Sequence, residues 1–259
     1  MSKVVQVREL AIGEGRPKIC VPFMGKTEAE IKEAAQSVLE TGADMAEWRA
    51  DCFEGLFCPE RMKAMWQMLR ILLGEMPLLF TIRTRAEGGE ADPSFEDYTR
   101  VNLDAVTSGC VDLVDVEIAR GDDVAFLIVE SAHEHGVKVI GSYHDFQKTP
   151  KKEDLIMRLC KMQEVETDIA KIAVMPKNPR DVLVLLDATL AMKELHNETP
   201  VVTMAMGDLG KVTRISGEIF GSSITFGMAG NPSAPGQMPV KELRACMKCL
   251  KTDEFVDEK

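Results

Sequence analysis

From residue 19 onward the chain alternates eight times between a short apolar run and a longer stretch carrying helix punctuation. The runs are Ile19 to Met24, Met45 to Trp48, Leu78 to Ile82, Val111 to Ile118, Val137 to Tyr143, Ile169 to Val174, Val201 to Ala205 and Ile224 to Phe226. Each is too short for a helix and is mainly apolar, as a strand buried in a parallel sheet is. Between them the helix signals recur. Thr27-Glu28-Ala29-Glu30 is a capping box, Pro59 and Pro179 stand at helix starts, and Ser94 to Thr107, Asp122 to His135, Lys151 to Val165 and Val240 to Leu250 complete the series. A shorter helix is predicted around Gly210 to Gly217. Eight such units in 259 residues predict an α/β fold, a closed (β/α)8 barrel in a single domain spanning 1–259. An open nucleotide-binding sheet would place G-x-G-x-x-G after its first strand, and Met24-Gly25-Lys26-Thr27 stands there instead.

Residues 1–17 break the rhythm. Val4 to Arg8 alternates apolar and polar residues ahead of the glycine-containing Ile12-Gly13-Glu14-Gly15, which predicts an antiparallel hairpin with its turn at the glycines, closing one end of the barrel. Thr252 to Lys259 reads as a polar tail. Nothing near the amino terminus resembles a signal peptide and no run is long enough to cross a bilayer, so a soluble, cytoplasmic protein without a membrane partner is expected. A net charge of −11 argues against a nucleic-acid partner. Seven scattered cysteines suit a reducing compartment, and the one close pair, Cys246 and Cys249, lacks the second pair or histidine that a metal site needs.

Within the sixth run, Ile169-Ala170-Lys171-Ile172-Ala173-Val174, a single lysine interrupts an apolar strand. Taken alone, such a lysine most often reaches solvent at a strand end. Desolvation disfavours a lysine's charged form, however, and a neutral amine attacks carbonyls to form a Schiff base. In a barrel the chemistry belongs to the carboxyl ends of strands and the loops that follow. Those positions hold Glu47 and Arg49, then Arg83 and Glu87, Asp115 and Glu117, His144, Lys171, and Arg214 after the seventh strand. Each has a structural explanation on its own: Glu47 and Arg49, two apart, face the same side as a buried ion pair would, and His144 suits a core histidine. Their convergence is the informative fact, because stability alone does not favour gathering buried charges at one mouth.

Glu47-Trp48-Arg49-Ala50-Asp51, Arg83 with Glu87-Gly88-Gly89-Glu90, Ser142-Tyr143-His144-Asp145-Phe146, Lys171 and Ser233-Ala234-Pro235-Gly236-Gln237 occur in this order along essentially the whole chain. Together they resemble type I 3-dehydroquinate dehydratase, a barrel of the class I aldolase type. The departures are Ala50, where many relatives have valine, and Val21-Pro22, where others have serine. The resemblance implies that Lys171 forms a Schiff base with the C3 ketone of 3-dehydroquinate, that His144 is the general acid and base, and that Glu87 orients it. Asp115 is implied as a group behind that histidine. Glu47, Arg49 and Arg83 would hold ring hydroxyls and Arg214 the carboxylate, with Met204 and Phe226 as apolar walls. Ser233 and Gln237 would belong to a lid, the 13-residue connection from Gly227 to Pro239. The lysine supplies the electron sink, so no metal or organic cofactor is implied, and a homodimer is common in the family.

Two other readings compete. A Schiff-base aldolase acting on a phosphorylated sugar would use backbone amides after strands seven and eight, where Gly207 to Gly210 offers a turn. Arg214, Ser233 and Gln237 suit a carboxylate and hydroxyls better. A catalytically silent barrel serving as a binding subunit would be expected to have lost its lysine or histidine, and both stand in place.

Overall fold

A computed structural model describes residues 3–230 and 232–250; the polar tail expected at 252–259 lies outside them. Two short strands, β1 (Val5–Val7) and β2 (Leu10–Ile12), form an antiparallel hairpin. Eight parallel strands follow: β3 (Lys18–Phe23), β4 (Met45–Arg49), β5 (Leu78–Thr81), β6 (Leu113–Glu117), β7 (Lys138–Asp145), β8 (Ile169–Val174), β9 (Val201–Ala205) and β10 (Ile224–Phe226). They lie in one sheet in chain order from β3 to β9, with β10 beside β3. The last seam, between β9 and β10, is narrow, with a single bridge from Val201 to Ser222 and Ser223 N–H donating to the Val201 carbonyl at 2.8 Å. The barrel is thus nearly closed, with helices alternating around it.

The capping box of α1 (Glu28–Leu39) forms as read, and Pro59 and Pro179 open α2 (Pro59–Leu73) and α6 (Pro179–Leu195). Two expectations fail locally. The hairpin turns at Arg8 and Glu9, not at the glycines, and Arg8 takes a left-handed φ of 51° there. Its guanidinium offsets that strain by binding Asp112 at 2.6 Å and Glu75 at 2.7 Å. The helix expected over 210–217 is two pieces, Lys211–Ile215 and Gly217–Phe220, hinged at Ser216. β8, β9 and β10 keep the bounds read from the sequence, the other strand bounds shift by one or two residues, and β7 runs on to include His144 and Asp145.

Alternation along the strands divides the barrel interior. The lowest fully buried inward position of every strand is apolar: Cys20, Met45, Leu79, Leu113, Ile140, Ile169, Val202 and Ile224, packed with Val5, Val7 and Ile12 of the hairpin. The hairpin therefore plugs the amino-terminal end. Asp44, Asp112 and Asp168, just before β4, β6 and β8, each accept a backbone N–H from the preceding strand, Ile19, Leu78 and Val139, at 2.7, 2.8 and 2.9 Å. These carboxylates satisfy amides that the plugged end would otherwise leave unpaired. One step higher the interior becomes polar, but only from β4 to β8, where Glu47, Thr81, Asp115, Ser142 and Lys171 point inward. From β9 round to β3 the wall stays apolar, with Met204, Phe226 and Pro22. Among the described residues no helix is long and apolar enough to cross a membrane.

Candidate active site

Lys171 is 3% exposed and does not reach solvent. Its Nζ lies 3.1 Å from Asp115 Oδ2, 3.8 Å from Glu47 Oε1 and 4.6 Å over the centre of the Phe226 ring. The field nearest the amine is thus made by carboxylates and a ring face, rather than by the neighbouring arginines. Asp115 also corrects an expectation. It makes no contact with the histidine, and binds Lys171, Arg83 Nη2 at 2.7 Å and the Ser142 hydroxyl at 2.6 Å. Burial alone would raise its pKa, but Arg83, Lys171 and Ser142 prevail and hold it at about 2.

His144 stands one inward position above Ser142 on β7, the strand paired with β8, opposite Ala173. Glu87, from the turn after β5, accepts the His144 backbone N–H at 3.0 Å and meets its Nδ1 at 2.9 Å through the same Oε2. An oxygen already accepting one N–H suits a second, which assigns the proton to Nδ1 and leaves Nε2 as the basic nitrogen. Burial holds the imidazole well below its usual pKa, and Arg83, Lys171 and Arg49 push the same way. Glu87 moves oppositely. Burial, with Glu117 and Asp115 adding to it, overcomes Arg83 and raises its pKa to about 8. Its Oε1 is buried without a hydrogen-bond donor, a geometry that disfavours the anion.

Arg49 and Glu47 share a face but not a bond. Arg49 forms a two-pronged pair with Asp51, both contacts at 2.8 Å, while Glu47 accepts the Thr81 hydroxyl at 2.8 Å. Arg83 is 3% exposed, with Nη1 2.9 Å from Glu117, 3.0 Å from Ser142 and 3.4 Å from Glu87.

Arg214 is 2% exposed and has no carboxylate against it among the described residues. Its Nη2 donates to the Pro235 carbonyl at 3.0 Å and its Nη1 to the Phe226 carbonyl at 3.4 Å, and its Nε has no partner. Burial lowers its pKa to about 10. An unpaired buried guanidinium is costly, and an anionic ligand offsets that cost. Pro235 belongs to the long connection after β10, and its carbonyl also accepts the Gly207 N–H at 3.1 Å. Gln237 folds back so that its Oε1 accepts the backbone N–H of Ser233 at 2.7 Å and of Ala234 at 3.3 Å. At Gly236, with φ 80°, a Cβ would stand 2.3 Å from the Gly207 carbonyl oxygen, so only glycine lets the loop lie this close. With the loop in this position the enclosed cavity measures about 50 Å³, too little for a ring-sized ligand unless the loop moves.

That cavity is lined by Glu47, Arg49, Arg83, His144, Lys171, Met204, Arg214, Phe226, Ser233 and Gln237 together. Glu87 and Asp115 stand behind it. Sequence reasoning left Glu117 and Ser142 without roles and did not foresee Asp51 as the partner of Arg49. The signal for Glu117 was present in Asp115-Val116-Glu117, where alternation turns both carboxylates inward. Among the described residues no group of three or more His, Cys, Asp or Glu is arranged to hold a metal ion.

A family model described as type I 3-dehydroquinase matches residues 19–254. The chain is 47% identical over 250 residues to the 3-dehydroquinate dehydratase of Clostridioides difficile (strain 630), covering 96% of this chain and 98% of that protein. A crystal structure of type I 3-dehydroquinate dehydratase from Clostridium difficile with covalently modified comenic acid superposes with a TM-score of 0.94 at 47% identity, covering 96% of this chain and 98% of the other. The 3-dehydroquinate dehydratase of Geobacillus kaustophilus HTA426 superposes with a TM-score of 0.92 at 40% identity, over 96% and 98%.

Proposed function

We infer from its membership of the type I 3-dehydroquinase family, to which this chain belongs, that the protein is a hydro-lyase converting 3-dehydroquinate to 3-dehydroshikimate and water through a Schiff base. The observation that best supports assigning the chemistry to particular residues is the union, in one small cavity, of a buried amine, a neutral buried imidazole and a buried arginine that no carboxylate neutralises.

In this reading the lone pair of Lys171 attacks the C3 carbonyl, and the proton given up by the amine is passed to the carbinolamine hydroxyl, which leaves as water to give an iminium. Glu47, 3.8 Å from Nζ, is within reach to relay that proton, while Asp115 stays ionised beside the developing cation. His144 Nε2 then takes the C2 proton, and the bonding pair flows into the iminium to give an enamine. Return of the electrons expels the C1 hydroxyl, which takes the proton from His144 and departs as water. Hydrolysis of the remaining imine releases the enone and restores the amine. Arg214 receives the substrate carboxylate in its planar fork, Glu47, Arg49 and Arg83 take ring hydroxyls, and Met204 and Phe226 form the apolar wall. Ser233 and Gln237 ride on the loop that closes over the ligand. The reading treats residues 1–259 as one barrel domain, acting in the cytoplasm as a homodimer and without nucleic acid.

Purified protein mixed with 3-dehydroquinate is expected to show the rising ultraviolet absorbance of the conjugated enone, with no cleavage of phosphorylated aldol substrates. A flat trace from folded protein would overturn the reading. Its pH dependence has a definite sign. Glu87 is raised to about 8, so below that pH its carboxyl proton donates to Nδ1 and the imidazole's own proton moves to Nε2, leaving no base toward the substrate. As pH rises through that value the proton leaves and the base appears. The expected kcat/KM profile climbs about tenfold per pH unit on its acid side and levels above the pair's pKa. Glu87→Gln should abolish that limb, and an unchanged limb would remove Glu87 from the proton transfer.

A further inference from the structure

Glu117 has no part in the mechanism above, yet it is 1% exposed, more deeply buried than Lys171 or His144. Its Oε1 accepts from Arg83 Nη1 at 2.9 Å and from the Thr84 backbone N–H at 2.8 Å, and its Oε2 accepts the Thr84 hydroxyl at 2.7 Å. Charge balance does not explain it. Glu47, Glu87, Asp115 and Glu117 surround only two cations that lack another carboxylate partner, Arg83 and Lys171, because Arg49 is already paired with Asp51. A fourth carboxylate worsens an excess of negative charge in a desolvated site, which stability alone disfavours.

The bonds of Glu117 converge on the residues that begin the turn Arg83 to Glu90. The other side of that turn is held by Asp51, whose Oδ1 accepts the Arg83 N–H at 3.3 Å and whose Oδ2 accepts the Glu90 N–H at 3.1 Å. Within the turn, Glu87 and Gly89 both donate to the Thr84 carbonyl, at 3.0 and 2.8 Å. A Cβ at Gly89 would lie 2.0 Å from the Arg83 carbonyl oxygen, so the turn is already as tight as glycine permits. Besides Arg83 at its start, this turn brings Glu87 to the site, where its Oε2 meets His144 Nδ1 at 2.9 Å.

We propose that Glu117 is a positioning residue for the proton transfer: with Asp51 it clamps the Arg83–Glu90 turn at both ends and so fixes Glu87 against His144. The proposal rests on the reading of Glu87 and His144 given above. Glu117 also acts on the pair through its charge. The groups facing Glu87 are Arg83 on its own turn, Asp115 and Glu117 on β6 and His144 on β7; Lys171 and Arg49 face His144, and the Tyr98 hydroxyl accepts the Glu117 N–H at 3.0 Å. Of these only the carboxylates favour a protonated Glu87.

The test is the kcat and KM of Glu117→Gln, Thr84→Val and Glu87→Gln measured across pH, with circular dichroism to establish folding. Glu117→Gln keeps the shape and removes the charge. Its kcat is expected to fall about tenfold with KM within about twofold of wild type. Its acid limb should move down by about one pH unit, since a charge that favoured protonated Glu87 is gone. Thr84→Val cuts the hydroxyl bond but leaves the charge, so kcat should fall several-fold with the limb in place. A folded Glu117→Gln enzyme with wild-type kcat and an unmoved limb overturns the proposal, and if that variant does not fold, wild-type kcat in Thr84→Val does so. If Glu87→Gln itself keeps the wild-type limb, the underlying reading of the pair fails; if Glu87→Gln loses it while Glu117→Gln keeps it unmoved with wild-type kcat, Glu117 alone is refuted.

Discussion

Lys171→Ala should lower kcat by at least about 10⁴-fold, because no other amine lines the cavity to form the covalent intermediate. The side chain also neutralises part of a buried acidic cluster, with Asp115 at 3.1 Å and Glu47 at 3.8 Å. Removing one partner of such a cluster destabilises a protein by about 3–5 kcal/mol, so the melting temperature must be measured alongside activity. The decisive comparison is chemical. Wild-type protein treated with borohydride in the presence of 3-dehydroquinate should gain the mass of a reduced adduct, mapped to the peptide containing Lys171, and Lys171→Ala should gain nothing. An adduct on another lysine, or undiminished turnover in the variant, would remove Lys171 from the nucleophile's role.

His144→Ala is expected to separate imine formation from elimination. The amine and its carboxylate neighbours remain, so the Schiff base should still form and borohydride should still trap it. Removal of the C2 proton then lacks its base, and turnover should fall about 10²–10⁴-fold, the usual contribution of a positioned acid or base. Rapid trapping should therefore find the adduct on nearly every His144→Ala molecule, whereas wild type cycles onward and holds less of it. If the variant neither turns over nor traps, His144 acts before the imine forms, and the roles given to it at C2 and C1 are wrong.

Both predictions concern residues identifiable from the sequence, and the reason is periodicity. A strand of six residues with one lysine at its centre has only two faces, and the neighbouring strands assign the inward one. Position at the carboxyl ends of strands likewise brought His144, Glu47 and Asp115 to the same mouth. Helix punctuation was legible for a related reason: the Thr27–Glu30 capping box and the prolines at 59 and 179 act on groups within one turn of themselves. Where local signals compete the reading slipped. Gly13 and Gly15 are permissive of a turn, but the hairpin turned at Arg8, because the ion pairs to Asp112 and Glu75, far away in sequence, compensate a strained φ there.

What the sequence by itself determined is the alternation that builds the barrel, the inward face of each strand, and hence which ionisable groups meet at its carboxyl end. Those follow from periods of about 2.0 and 3.6 residues, which are properties of adjacent residues. Which of the gathered charges pair was decided only by the tertiary structure. Alternation turns Glu47 and Arg49 the same way, yet Arg49 closes on Asp51 and Glu47 on Thr81. Asp115 bonds the lysine rather than backing the histidine, and Glu117 binds the turn that carries Glu87. In a desolvated interior an ångström of separation changes a charge pair's energy by more than any local preference. Those separations depend on the stagger of strands far apart in the chain, such as those carrying Glu47 and Lys171, which closing the barrel sets and no short stretch of sequence encodes.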